Sequence, residues 1–290
     1  LFVDGRYTIQ AGIESGKYYK IIELSKISNC KFFKNMTLGI DPQMFTSKQI
    51  KNFFLKNNKI KYIENNLIDE FFRKRTHSPK PFFSLRENIV GENYKKKIIR
   101  VCNILKKEKS DYLFVSAPEN VAWLLNIRGF DNPNSPIPNC RLLIDSNKKF
   151  FLISEKHLAR RLINEKKINP KNIINLEIFK KVINNLKKKN IIIDNKTCSI
   201  FYEELLKKKL KIQNKEDPIY LLKSIKNKTE IKNMIDAHIS DGVALTKFLF
   251  WIKKINKNKI TEVEAAKKLE NFRKLNKNFL YPSFDTIAGS

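Results

Sequence analysis

The 290-residue sequence is short of the residues that most often carry chemistry. It has four cysteines, Cys30, Cys102, Cys140 and Cys198, and no two of them form a Cys-x-x-Cys pair. That spacing excludes a disulfide framework and a thiolate zinc site, and it suits the reduced thiols of a cytoplasmic protein. The only histidines are His77, His157 and His238, and no two of them have metal-ligand spacing. His77 falls in a proline-containing stretch and His157 in the basic run "EKHLARR", both solvated positions. His238 falls on an apolar helical stripe, where a hydrogen-bonded core or interface histidine is expected. Neither Gly-x-Gly-x-x-Gly nor Gly-x-Ser-x-Gly occurs. "GIESGKYY" at 12–19 departs from a phosphate loop: three residues separate its glycines, and Tyr18 stands where a magnesium-binding hydroxyl is needed. No apolar run reaches the roughly 18 residues of a membrane span. Composition and motifs alone therefore supply no catalytic constellation.

What the sequence has in excess is positive charge, a formal net of +29. A basic face for nucleic acid is one reading. Only ten of the 58 basic residues are arginine, however, and the lysines run through every segment alongside abundant Asn and Ile. Phosphate and base recognition favours Arg. No helix-turn-helix, finger or aromatic-basic RNA-binding pattern is present. A general compositional bias accounts for the charge, and no specific nucleic-acid partner is expected.

Strand and helix patterns alternate along the chain, which predicts a mixed α/β fold. "LFV", "YYKIIEL", "MTLGID" and "KIKYI" read as strands. "GRYTIQAGI", "SKQIKNFFLKN" behind a Thr46 cap, and "NLIDEFF" read as helices. Residues 74–88 carry two prolines and basic flanks and read as a linker. Beyond them, "YKKKIIRVCNILKK" places Ile98, Val101, Cys102 and Leu105 on one helical side. "DYLFVSAP" is a buried strand, and "ENVAWLLNI" a helix ended by Gly129. "CRLLID-SNKK-FFLIS" is a hairpin, and "EKHLARRLI" a helix. "NLEIF", "VINNLKKK", "NIIID" and "IFYEELLKK" then read as strand, helix, strand, helix.

The two halves of this pattern repeat one another. "LGIDPQMFTSKQIKNFFLKN" aligns with "IIIDNKTCSIFYEELLKKK", which places Asp41 on Asp194 and Thr46 on Ser199. Each time a strand ends in Asp, a turn follows, and a hydroxyl opens a helix. A diverged duplication is the expected origin.

A third segment follows residue 214. Asn227 and Glu230 make a capping-box start. The helix behind them carries Ile231, Ile235, His238, Gly242, Leu245, Leu249 and Ile252 as one stripe over about six turns. Thr261 opens another helix, with Val263, Ala266, Leu269 and Phe272 inward. "PSFDTIAGS" reads as a strand. Two such helices cannot bury their stripes alone and need a sheet against them.

One small motif points to binding: "DGRY" at 4–7. A strand that ends in Asp-Gly sets Arg6 just beyond the strand end, where turns carry binding groups. Without further context a locally paired turn arginine is the simpler reading.

"LFVDGRYTIQA", "ENVAWLLNIRGFDNPNSPIPNCRLLI", "LKSIKNKTEIKNMIDAHISDGVALTKFLFWI" and "FLYPSFDTIAGS" occur in that order. Together they resemble the aminopeptidase P (Xaa-Pro aminopeptidase) family of creatinase-like metallopeptidases, in its long three-domain form. The resemblance runs across essentially the whole chain. It implies two creatinase-type N-terminal domains of similar architecture, 1–88 and 89–214, followed at 215–290 by the start of a pita-bread catalytic domain. It also implies a fragment truncated at both ends. The family hydrolyses the bond between an N-terminal residue and a following proline, using two divalent metals, usually Mn2+, held by two Asp, one His and two Glu. All of these ligands fall beyond the family's counterpart of "SFDTIAGS", so no catalytic and no metal-binding residue is expected within 1–290. Such a chain is expected to be inactive alone. Arg6 matches the family's substrate-contacting arginine. Asp4 and Tyr7 are expected as scaffolding, and Trp123, Leu124 and Arg128 as packing and hairpin support. Asp285 lies on the strand before the ligand strands and is not a ligand. The implied partners are peptides with proline second and a second copy in a homodimer, in the cytoplasm and with no membrane. The alternative from another class is a non-catalytic creatinase-like oligomerisation or interaction module.

Overall fold

A computed structural model of the chain describes residues 1–30, 34–54, 58–71, 80–186, 189–255 and 260–287. In chain order its strands and helices are β1 Phe2–Val3, α1 Thr8–Ser15, β2 Ile22–Glu23, β3 Thr37–Ile40, α2 Ser47–Phe53, β4 Lys59–Tyr62 and α3 Leu67–Phe71. There follow β5 Phe83–Ser84, α4 Glu87–Val90, α5 Tyr94–Lys107, β6 Tyr112–Val115, α6 Pro118–Leu125, β7 Ile127–Arg128, β8 Arg141–Asp145 and β9 Phe150–Ile153. The remainder is α7 Arg160–Asn164, β10 Ile173–Ile174, α8 Leu176–Asn184, β11 Asn190–Ile193, α9 Ile200–Lys207, β12 Lys211–Asn214, α10 Pro218–Ser224, α11 Lys228–Lys254 and α12 Glu262–Arg273. The fold is mixed α/β. The chain divides into two compact units: Leu1–Ser78 with Lys180–Asp217, and Pro79–Phe179 with Pro218–Ser290.

The first unit is built from parallel strand pairs. β1 runs parallel to β2, β3 to β4, and β11 to β12. The last two pairs are each a strand–helix–strand unit, and the two match in detail. Asp41 Oδ1 accepts from the Gln43 amide at 2.8 Å, and Asp194 Oδ1 from the Lys196 amide at 2.9 Å. The second oxygen of each holds the chain beyond the next strand: Asp41 Oδ2 accepts from Asn66 Nδ2 at 3.0 Å, and Asp194 Oδ2 from the Asp217 amide at 3.0 Å. Thr46 caps α2 in a reciprocal capping box with Gln49. Thr46 and Ser199, the aligned hydroxyl residues, sit opposite each other in an isolated antiparallel bridge. Ile40, Ile50 and Ile200 form a small core there, with Phe45, Phe54 and Ile60 against it.

The second unit holds the larger core. β8 is antiparallel to both β6 and β9, and β10 is parallel to β9. α5 buries Ile98, Val101, Cys102 and Leu105, the face its periodicity marks, together with Lys97. Leu113, Phe114 and Val115 of β6 and Val121, Leu124 and Leu125 of α6 are wholly or almost wholly buried. Each such aliphatic side chain contributes about 1.5–3 kcal/mol of burial.

Four local expectations are revised. "NLEIF" is not a strand: Ile173–Ile174 make the strand, and Asn175 Oδ1 accepts from the Ile178 amide at 3.0 Å, opening α8. Phe179 and Ile183, one helical turn apart, are fully buried, so the period is helical. α6 ends at Leu125 rather than Gly129, because Asn126 takes the left-handed conformation (φ 54°) that an Asn tolerates. Gly129 instead allows a close approach of the chain, since a Cβ there would lie 2.6 Å from Pro138 Cα. The expected linker 74–88 falls partly outside the described residues. Its later part is built into the second unit, with Phe82 fully buried, its amide bonded to the Leu158 carbonyl at 2.7 Å, and β5 antiparallel to β7. The expected strand "PSFDTIAGS" is not paired across its described part, 282–287, since a strand needs a ladder partner.

α11 and α12 pack on each other and start as their caps foretell: Asn227 with Glu230, and Thr261 with Glu264, are both reciprocal boxes. Within α11 only Ala244 is buried. Ile231, Ile235, Leu245 and Leu249 of the apolar stripe all stay exposed.

Candidate functional site

The candidate binding residue of the sequence, Arg6, lies just past β1, and the local chemistry explains its pose. Asp4 caps a short 3-10 turn over Gly5–Tyr7. Asp4 Oδ1 accepts from the Arg6 amide at 3.0 Å and from Arg6 Nε at 2.9 Å, while the Arg6 guanidinium lies 5.6 Å from the Tyr7 ring centroid. The Arg6 side chain nevertheless keeps 77% of its surface exposed. The hydrogen bond from Arg6 holds the Asp4 carboxyl below its usual range, and Asp4 in turn raises Arg6. The result is a guanidinium steadied on one edge, with donors left for a second acceptor such as a carboxylate or a peptide carbonyl. Asp4 and Tyr7 thus serve as its scaffold.

The described histidines, Asp285, Trp123, Leu124 and Arg128, also singled out in the sequence, belong to the second unit. His157 lies exposed in the turn before α7, not within the helix. His238 is on the exposed face of α11, its Nδ1 2.8 Å from the Met234 carbonyl. His77 lies outside the described residues. Asp285 accepts from Asn134 Nδ2 at 3.4 Å. Leu124 is fully buried, Trp123 nearly so, and the largely buried Arg128 donates to the carbonyls of Ile127 (2.8 Å) and Ala122 (3.3 Å). Burial holds Arg128 below its ordinary range. Among the described residues no group of three or more His, Cys, Asp or Glu side chains could hold a metal ion. Nor is any helix among them long and apolar enough to cross a membrane.

Sequence reasoning missed a polar cluster in the second unit. Lys97, only 1% exposed, donates from Nζ to Asn126 Oδ1 at 2.7 Å and to the Trp123 carbonyl at 3.0 Å. Its ammonium also lies 4.0 Å from the Trp123 ring centroid. Burial pushes Lys97 down to about 8, partly offset by the carboxylates of Glu230 and Glu92. At the edge of the indole, Trp123 Nε1 donates to Glu230 Oε1 at 3.2 Å. One signal for it is in the sequence: Lys97 stands four residues before Val101 and eight before Leu105, on the inward stripe.

A family model described as the creatinase/prolidase N-terminal domain matches residues 73–230, more than half of the chain. The chain belongs to the creatinase/prolidase N-terminal domain family. Beyond that domain, curated Xaa-Pro aminopeptidases resemble it from end to end. Xaa-Pro aminopeptidase 1 of Dictyostelium discoideum is 30% identical over 99% of this chain and 50% of its own length. The probable Xaa-Pro aminopeptidase P of Tuber melanosporum is 30% identical over 100% of this chain and 52% of its own. The family member described here therefore spans about half the length of the curated relatives it matches. In three dimensions it shares the fold of the X-prolyl aminopeptidase of Caenorhabditis elegans, described as a cytosolic enzyme with a di-nuclear active site. That likeness has a TM-score of 0.82 and 22% identity, over 99% of this chain and 50% of the other.

Proposed function

We propose that these residues are part of a metal-dependent Xaa-Pro aminopeptidase, which hydrolyses the bond between an N-terminal residue and a following proline. The observation that carries the reading is the end-to-end resemblance to the Dictyostelium enzyme at 30% identity. The activity is proposed for a protein that adds, to these residues, the half of the relatives' length not spanned here.

The proposed layout is a first creatinase-like domain ending near residue 88, a second over 89–214, and a pita-bread catalytic domain starting at 215. The matched strand–helix–strand units around Asp41 and Asp194 support the repetition, and the exposed stripe of α11 supports a further layer against it. Arg6 is proposed to hold a carboxylate or carbonyl of the bound peptide, which suits its exposed, one-edge-paired guanidinium.

The metal ligands are proposed to lie outside residues 1–290. No step of the reaction is therefore assigned to residues 1–290, which alone are proposed to be inactive. Two divalent metals and a cytoplasmic location are parts of the same proposal, in keeping with the di-nuclear, cytosolic relative; Mn2+ as the metal and a homodimer are proposed with them.

The exposed apolar residues of α11 also suit a second reading, a non-catalytic oligomerisation or interaction module. Translation of the coding DNA past Ser290 separates the two. The enzyme reading expects an Asp, Asp, His, Glu, Glu ligand series there. A frame in which those ligands are replaced favours the module.

A further inference from the structure

We propose that Lys97, Trp123 and Glu230 form one relay that links the proton on a buried lysine to the docking of the first turn of α11.

α11 is held to the rest of its unit in an unusual way. Its apolar stripe stays exposed, so burial does little to place it. Along its length it packs on α12, where Arg273 Nε donates to Asp241 Oδ1 at 2.6 Å, whereas its fastenings to the α4–α6 part of the unit lie at its start and are polar. Asn227 Nδ2 donates to the Val90 carbonyl at 2.8 Å, and Asn233 Nδ2 to the Ile89 carbonyl at 2.8 Å. The side chains of the helix start press on the Gly91 backbone: a Cβ on Gly91, at φ +72°, would lie 2.5 Å from Asn227 Oδ1 and 2.6 Å from Thr229 Cβ. The third fastening is Glu230, whose two oxygens are used separately. Oε2 accepts from the Asn227 amide at 2.9 Å and closes the capping box, and Oε1 accepts from the Trp123 indole at 3.2 Å.

Behind that indole sits the charge. The Lys97 ammonium lies against the ring face, and its two hydrogen bonds go to the end of α6, the Trp123 carbonyl and the left-handed cap Asn126. Asn126 is itself pinned, donating from Nδ2 to the Glu92 carbonyl at 2.8 Å. One side chain of α5 thereby fixes both the backbone and the ring that present Nε1 to Glu230. The charged groups facing Lys97 are Glu230 from α11, Glu92 from the α4–α5 turn, Arg128 from β7 and Arg100 from α5 itself. Glu230 favours the ammonium most and Glu92 next; Glu92 is also paired with Arg100, and Glu230 also favours the charge on Arg128.

Two-way coupling follows. The Glu230 carboxylate favours the proton on Lys97. By linkage the protonated lysine favours the docked Glu230, and with it the first turn of α11. Because Lys97 titrates near 8, the tie slackens through the mildly alkaline range.

The chain has two tryptophans, so Trp251→Phe leaves Trp123 as the sole reporter. In that background the Trp123 fluorescence is expected to titrate with a midpoint near pH 8. Glu230→Gln keeps the capping hydrogen bond on its one oxygen, removes the charge and turns an NH2 donor to the Trp123 indole N–H; it is expected to lower that midpoint by roughly half to one pH unit. Lys97→Met is expected to abolish the transition. At pH 7 it should also speed hydrogen exchange at the Glu230 and Ile231 amides by about fivefold or more. An unchanged midpoint in Glu230→Gln, or parental exchange rates in Lys97→Met, overturns the relay. No readout depends on peptide hydrolysis.

Discussion

Thr46 and Ser199 stand directly opposite each other in an antiparallel bridge, although 153 positions separate them in the numbering. They are the residues that the internal repeat aligns. The Ile200 amide next to the bridge donates to the Phe45 carbonyl at 2.9 Å. Two copies of one motif that meet at corresponding residues form a local pseudo-dyad. Asp41 and Asp194 then hold equivalent posts, each tying a strand end to the chain beyond the following strand.

The two aspartates differ in burial, and so should their substitutions. Asp194 is 2% exposed and accepts two backbone amides. Asp194→Asn replaces one accepting oxygen with a donor and should destabilise by about 1–3 kcal/mol. Asp41→Asn, on the more open copy, should cost less. Urea melts of the two variants check the order; equal losses would remove the burial argument.

Lys97 makes a prediction for global stability with a definite sign. Its folded value, about 8, lies below the 10.5 of an unperturbed lysine. Between those pH values the unfolded chain binds a proton that the folded chain does not, so stability from this group rises with pH across that window and is level outside it. The stability of wild type relative to Lys97→Met should therefore climb from pH 8 to pH 10.5, by up to roughly 3 kcal/mol. Denaturant melts of both proteins across that range measure it. A flat difference would contradict the buried, reluctant charge.

Gly129→Ala tests the loop that carries the hairpin. The added methyl carbon meets Pro138 backbone and ring atoms at 2.6 to 3.0 Å, none of which is the end of a flexible side chain. A loss of about 1–3 kcal/mol is expected. An unchanged melting temperature would mean that the loop yields freely.

Arg6→Ala separates binding from folding. An exposed ion pair contributes little to stability, so the melting curve should overlay that of wild type. In the protein that carries the remaining half of the relatives' length, the same change should raise KM for a proline-second peptide about tenfold or more. Lys should rescue only in part, because a point charge does not reproduce the planar fork. Unaltered kinetics would return Arg6 to a turn residue.

Much of this architecture is legible in the sequence because its signals are local. Thr46, Asn227 and Thr261 each stand three residues before a Gln or Glu, and each forms the cap that spacing predicts. The stripe of α5 is regular enough to name its four apolar members. "NLEIF" misleads because five residues are too few to separate periods of 2 and 3.6, and the decisive Ile183 lies outside them. The end of α6 is ambiguous in sequence because two left-handed candidates, Asn126 and Gly129, stand three apart, and Pro138, which claims Gly129, is remote from both in the local pattern. The Lys97 cluster is a tertiary property. Its members are spaced from 97 to 230, and nothing short-range joins them. Arg6 is visible as a strand-end residue, but its steadied edge depends on the Asp4 cap, which only the structure makes explicit.

The most direct test is hydrolysis of a tripeptide with proline second by the protein that carries both this chain and the other half of its relatives' length, assayed with Mn2+ and again with a chelator. The account predicts release of the single N-terminal residue, loss of turnover with the chelator, and discrimination against the same peptide with alanine second. No release with Mn2+, or equal cleavage of the alanine peptide, would contradict an Xaa-Pro aminopeptidase.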